Sequence, residues 1–191
     1  MAPLTMTRLL DCIAASCLVM CLSCVAPAEA TPKLNITAIG ASGDKSTLEC
    51  WQLDAPFAVS DTPGTRGSAV AKMGNVSNMA FTVLPAHFDG GLHTAPANQW
   101  VMFISGMAHI TVPGDDSDGA YVLGGEFGLI FAADTANVSE KGHYTRYPGI
   151  VETVALQIPT LNGEIPPHQV VRPGPCLTND TVGLRSFAGT G

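Results

Sequence analysis

His87, His93, His109, His143 and His168 are the side chains whose type suits acid–base or metal chemistry near neutral pH, and their settings differ. His87 stands just ahead of Asp89-Gly90-Gly91, a turn-forming run, where a solvated or capping role is expected. His109 shares one face of a strand pattern with Met107 and Thr111, and reads as a packed or exposed strand residue. His168 follows Pro166-Pro167 in a stretch that reads as irregular. His93 lies shortly before the segment Gln99–Ser105, and His143 opens the segment His143–Tyr147. Asp115-Asp116-Ser117-Asp118-Gly119 has the look of a calcium loop. An EF-hand loop, however, needs an acid at Gly114 and a Glu at Gly125, so a hairpin turn is expected instead. Hydrolase and nucleotide-cofactor chemistry find no motif: there is no Gly-x-Ser-x-Gly elbow, no P-loop and no strand-placed Gly-x-Gly-x-x-Gly.

The elements that must position these residues read as short strands. The chain has 191 residues, 46% hydrophobic and 13% charged, with 20 Gly and 14 Pro, which points to one all-β domain with tight turns and excludes a disordered chain. A net charge of −7 excludes the basic face that nucleic-acid binding requires, so no nucleic-acid partner is expected. Alternation and β-forming composition mark strands over 48–53, 79–85, 99–105, 107–112, 120–123, 127–132, 143–147 and 151–158. On the 99–105 strand Gln99, Val101, Phe103 and Ser105 share one face, with Trp100 and Met102 on the other, packed between sheets or at a dimer contact. On the 143–147 strand Thr145 and Tyr147 join the face of His143, and Tyr144 and Arg146 point away. Glu126 reads as a solvated turn residue. Residues 161–191 read as a Pro/Gly-rich C-terminal tail, loose at its end.

Met1–Ala30 reads as a secretory signal peptide: Arg8, an apolar run Cys12–Val25, then the small-x-small sequence Ala28-Glu29-Ala30. The run falls short of the roughly 20 residues that span a bilayer, so no stable membrane anchor is expected. Removing the leader takes Cys12, Cys17, Cys21 and Cys24 with it and leaves Cys50 and Cys176, which pair most simply as one disulfide in an oxidising compartment. Four sequons, at Asn35, Asn75, Asn137 and Asn179, agree with a secretory route to the cell exterior or an endomembrane lumen.

His93-Thr-Ala-Pro-Ala-Asn-Gln99 followed by Trp-Val-Met-Phe-Ile-Ser-Gly106 resembles the first motif of the cupin superfamily, His-x-His, three or four residues, Glu, six residues, Gly. Gly124-Gly-Glu-Phe-Gly-Leu-Ile-Phe-Ala-Ala-Asp134 with Lys141-Gly-His143-Tyr-Thr-Arg146 resembles the second motif and places its histidine at His143. The chain is similar to small single-domain cupins of a His-x-Ala-Pro-x-x-Gln subgroup, and the resemblance covers about Met79 to Ile158. It implies a double-sheet β-barrel of jelly-roll type over residues 31–160, with a pocket at one end and a dimer by analogy. In full-motif members three His and a Glu hold a divalent transition metal. Here the second His position falls on Ala95 and the Glu position on Gln99, so the carry-over leaves His93, Gln99 and His143.

Two readings of those three residues stay open. They bind a metal such as Fe, Mn, Ni, Cu or Zn with one imidazole and one negative charge fewer than the family has. Alternatively they line a metal-free pocket where His93 and His143 act as acid and base and Gln99 orients the substrate. His87 is a candidate for the missing ligand if its strand bends. Asp134, followed by Thr135 in the subgroup pattern, stands where it either fixes the tautomer of a pocket histidine or caps a turn. The resemblance then implies an exported tailoring oxidoreductase, isomerase or cyclase acting on a small apolar metabolite. The competing expectations are a small-molecule-binding glycoprotein without chemistry and a structural domain with a relic motif.

Overall fold

The computed structural model describes residues 31–181. The leader expected at Met1–Ala30 and the last ten residues of the tail lie outside the described residues. The described chain is all-β, with strands β1 (Lys33–Ser42), β2 (Lys45–Pro56), β3 (Ala58–Val59), β4 (Ala69–Val70), β5 (Ala80–Leu84), β6 (Phe88–His93), β7 (Gln99–Ser105), β8 (Met107–Thr111), β9 (Ala120–Leu123), β10 (Leu129–Ala132), β11 (His143–Tyr147), β12 (Thr153–Pro159) and β13 (His168–Pro173). A 3₁₀ turn covers Leu161–Gly163, and a single helical turn, α1, covers Thr178–Thr181. Among the described residues no helix is long and apolar enough to cross a membrane.

Seven strands form the larger sheet in the order β13-β2-β1-β10-β7-β12-β5, and four form the smaller in the order β6-β11-β8-β9, while β3 and β4 pair by themselves. The pairings are antiparallel except β1 with β10, which is parallel. Inward-facing residues of both sheets meet in one apolar core, including Ile39, Val101, Phe103 and Ile130 from the larger and Ala108, Ile110 and Val122 from the smaller. The larger sheet has a second core on its other face. There Trp51, Trp100 and Phe131 pack with Leu34, Ile36 and Leu53, and Phe57, Ala71 and Met73 cover them. Both faces of β7 are therefore buried: Val101 and Phe103 on the inter-sheet side, Trp100 edge-on to Phe131 at 4.8 Å on the other. The expected alternation of β7 holds, with Trp100 in the outer core.

Two segments differ from the sequence reading. Asp89-Gly90-Gly91 is no free turn but part of β6, where the register against β11 slips by one residue between Thr145 and Arg146. Gly91, at φ +67°, supplies the backbone that this bulge needs. The stretch after Pro159 is not irregular throughout: β13 extends the larger sheet by pairing with β2, and His168 stacks on Trp51 at 3.6 Å. Its prolines sit at the strand boundaries and on the sheet edge, where a missing N–H costs no ladder bond.

Cys50 of β2 and Cys176 form a disulfide across 126 residues of sequence. Cys176 N–H also donates to Thr37 Oγ1 at 3.0 Å, so the segment after β13 is fastened to both β1 and β2. On the chain-entropy account a loop this long contributes about 4–5 kcal/mol. The paired Cys50→Ala/Cys176→Ala variant should melt roughly 8–20 °C below the parent in thermal unfolding followed by circular dichroism. An unchanged Tm would show that the bridge constrains nothing the sheet does not already hold.

Candidate functional site

The site begins with a register. His93, the last residue of β6, is the direct cross-strand partner of His143, the first of β11. Opposed residues of an antiparallel pair point to the same face, and the two rings lie 4.5 Å apart between centroids, inclined by 59°. Gly142 makes this approach feasible: its φ is +77°, and a Cβ there would stand 2.0 Å from the His93 carbonyl oxygen. Gln99, buried at the start of β7, pairs with Ala132 of β10. Ala95 bridges Thr135, and Ala95 N–H donates to the Asp134 carbonyl at 3.3 Å, which ties the loop after His93 to the loop after β10.

His93, Gln99 and His143 line one cavity of about 350 Å³ between the sheets, together with Thr145, Tyr147 and Gln157. Its apolar wall is formed by Ile39, Val101, Phe103, Ile110 and Ile130. His143 is 5% exposed and Asp134 0% exposed, and His143 Nδ1 lies 2.7 Å from Asp134 Oδ2. Asp134 also accepts a bond from Ser46 Oγ at 2.6 Å. A carboxylate accepts only, so the ring proton of His143 belongs on Nδ1 and the lone pair on Nε2. His93 Nδ1 lies 3.1 Å from the Gly91 carbonyl, which assigns the same tautomer to His93. His93 is exposed as a residue, yet the partial burial of its ring, helped by the neighbouring His143 and opposed by the Gly91 carbonyl and Asp134, holds the imidazole below its ordinary 6.5. Burial raises the Tyr147 phenol above its ordinary 10.0. The site therefore presents two imidazole lone pairs, a phenol, the Thr145 hydroxyl and the carboxamides of Gln99 and Gln157.

Two imidazoles and a neutral amide do not fit a tightly held divalent transition metal. Ala95 is buried in the inter-sheet core and offers no ligand, and among the described residues no three His, Cys, Asp or Glu side chains gather to hold an ion. Asp134 is absent from the cavity lining, and its Oδ2 is already taken by His143 and Ser46.

The remaining candidates lie elsewhere. His87 is exposed, at φ +57°, and is absent from the cavity lining. His109 stacks on Tyr121 at 4.1 Å, and its Nε2 meets the Asp118 carbonyl at 2.7 Å. Tyr144 and Arg146 occupy the other face of β11, where both engage Asp89. Asp115–Gly119 is the turn between β8 and β9, held by Asp115 on Ser117 N–H at 2.9 Å, and Glu126 is exposed. Met102 is half-buried against neither histidine. Tyr147 lies on the face of His143 as expected, while Gln157 and Ser46 carried no expectation from the sequence. Ser139 stood out there only as the hydroxyl of a sequon. Strand alternation on the β11 face was the signal that reached Tyr147.

Comparison with family models, with curated proteins and with solved structures found no match for this chain.

The depressed His93 titration sets a sign. The unfolded chain protonates His93 near 6.5 while the folded chain resists, so the unfolded state binds more protons as pH falls. Stability is unaffected by His93 above that value and falls as pH drops through it. Thermal unfolding between about pH 8 and 5 should show a flatter acid-side decline for His93→Asn than for the parent. Parallel curves would place the imidazole in a solvent-like setting.

Proposed function

We propose that this chain is an exported small enzyme of cupin type, a jelly-roll double-sheet barrel whose cavity carries out proton transfer on a small, largely apolar metabolite. The observation that carries the reading is the facing pair His93 and His143 in one apolar-walled cavity, with buried Asp134 on the Nδ1 of His143. A cavity of about 350 Å³ lies at the small end of ligand sites and suits a compact aromatic or polyketide-like molecule.

His143 Nε2 is the base. It takes a proton from a substrate C–H or O–H, and Asp134 stabilises the imidazolium that forms without becoming protonated itself. Gln99 and Tyr147 offer donors to a substrate carbonyl, and the Nε2 of neutral His93 accepts from a hydroxyl. The proton returned by His143 to a different atom gives an isomerisation, or a ring closure, with no net oxidation. This favours the isomerase or cyclase form of the reading over the oxidoreductase form. The latter needs a redox partner on His93, Gln99 and His143, a donor set one ligand and one charge short.

The test is a panel of hydroxylated aromatic ketones in D₂O, followed by NMR for product or for deuterium at carbon. The parent should catalyse exchange, and His143→Asn should lose about 10²–10⁴-fold of it. Elemental analysis of untagged protein should return well under one metal ion per chain. Full turnover in His143→Asn would overturn the assignment, stoichiometric metal would restore the oxidoreductase form, and saturable binding without exchange would leave a binding glycoprotein.

The disulfide supports export, and the sequons offer a second check on it. Asn75, Asn137 and Asn179 are exposed. Asn35 is not free: its Nδ2 donates to the Asp180 carbonyl at 2.6 Å, and its Oδ1 accepts from Gln52 at 3.1 Å. Peptide mapping of protein secreted from a eukaryotic host should find glycans at Asn75 and Asn137 and an unmodified Asn35. A fully occupied Asn35 in folded protein would contradict the packing of β1.

A further inference from the structure

We infer that Ser46 and Ser139 are positioning residues for the Asp134–His143 pair: they hold one carboxylate oxygen where it takes the Nδ1 proton of His143 and so commit Nε2 to the cavity. The inference deepens the proton-transfer reading of the cavity and rests on it. Ser46 is remote in sequence, 88 residues before Asp134 and 93 before Ser139, whereas Ser139 lies in the loop just ahead of His143.

Counting protons gives the network a direction. Ser46 Oγ donates to Asp134 Oδ2 at 2.6 Å, which uses its single hydroxyl proton. Ser46 Oγ and Ser139 Oγ are 2.8 Å apart, so the proton between them comes from Ser139. Ser139 Oγ in turn accepts from Gly142 N–H at 3.0 Å. Gly142 directly precedes His143, so the path runs from the β11 backbone through two hydroxyls and one carboxylate to the ring that β11 carries. Ser46 is 6% exposed, Ser139 2% and Asp134 0%, so water does not substitute freely for any member.

The geometry at Asp134 shows what the hydroxyls do. Both donors converge on Oδ2, while Oδ1 is buried and has no partner. Without Ser46 only His143 would hold the carboxylate, leaving it free to turn about Cβ–Cγ. A buried serine more commonly satisfies its hydroxyl on a nearby backbone carbonyl. Here both hydroxyl protons are directed along a path that ends on the anion, and bonds to a charged acceptor are the stronger ones.

The test reads the tautomer directly on the full-length ¹⁵N-labelled protein at about pH 8, above the ordinary imidazole range. Long-range ¹H–¹⁵N correlations should show His143 as a single Nδ1–H tautomer with a slowly exchanging ring proton. Ser46→Ala should admit the Nε2–H tautomer and speed exchange of that proton roughly tenfold or more. Ser46→Thr, which keeps the hydroxyl, should restore the parent signature, and Ser139→Ala should shift it in the same direction by less. Because Ser139 also completes the sequon of Asn137, Asn137→Gln serves as the control that removes the sequon with the hydroxyl intact and should change nothing. If Ser46→Ala does not fold, Ser46→Cys keeps the volume with a weak donor and should give the same shift. A folded Ala or Cys variant with the parent tautomer and exchange rate overturns the inference. A tautomer that answers to Ser46 in a protein that neither binds nor exchanges any of the aromatic ketones overturns the function reading instead and leaves the positioning role standing.

Discussion

The hydrogen bond between His143 and Asp134 is the constraint around which the cavity is organised. An unpaired carboxylate in a dry interior is expensive, so the fold must supply donors to Asp134 wherever it is buried. It does so from two directions: the ring of His143 on β11 and the hydroxyl of Ser46 at the start of β2. These belong to different sheets. Besides meeting the needs of an anion, the bond fixes the smaller sheet against the larger one at the rim of the cavity. The bridge between Ala95 and Thr135 and the close passage of Gly142 over the His93 carbonyl reinforce the same corner.

The second core explains how so small a domain leaves a cavity between its sheets. Trp51, Trp100 and Phe131 lie on the far face of the larger sheet, under cover from Phe57 and Met73. Large aromatic burial on that side contributes stability that does not depend on filling the inter-sheet space. The inter-sheet side can then be lined by medium-sized residues such as Ile39, Val101, Ile110 and Ile130, with polar groups at one end. Trp100 and Gln99, adjacent in β7, divide these duties: one anchors the outer core and the other faces the cavity.

Much of this was legible in the sequence where a single strand decides the outcome. Strands 99–105 and 143–147 carry clean alternation, and their facing was fixed by period alone, including Thr145 and Tyr147 beside His143. The cysteine pair was legible because the other four cysteines fall within the segment expected to be a leader, and Cys50 and Cys176 are joined as expected. What stayed hidden depends on register between distant strands. β1 does alternate over Lys33–Ala38, with Leu34, Ile36 and Ala38 buried, but the alternation breaks at Ile39-Gly40, and its place inside the larger sheet comes from pairing with β10, far along the chain. β13 sits among prolines that read locally as loop, yet an edge strand tolerates them. Ser46 has no local signature at all, because its role is set by a carboxylate 88 residues away. Gly90-Gly91 looked like a turn because a bulge uses the same backbone freedom that a turn does.

The charge arrangement narrows what the cavity can hold. Asp134 is fully buried behind His143 and spends its donor-facing oxygen on protein groups, so it offers no free anion to the cavity. His93 is held toward its neutral form by burial and by its neighbour, and Tyr147 is held toward the neutral phenol by burial. Gln99 is neutral at any pH. The lining thus carries no fixed net charge and combines apolar walls with hydrogen-bonding groups at one end. Such a site has little to offer an ionic substrate, which would lose its hydration without gaining a partner. The proposed substrate, a neutral molecule with an apolar body and a carbonyl or hydroxyl at its edge, matches that lining. The site is also suited to a reaction in which charge appears only transiently, because the imidazolium on His143 has its counter-ion already in place and needs no rearrangement of the surroundings to be stabilised.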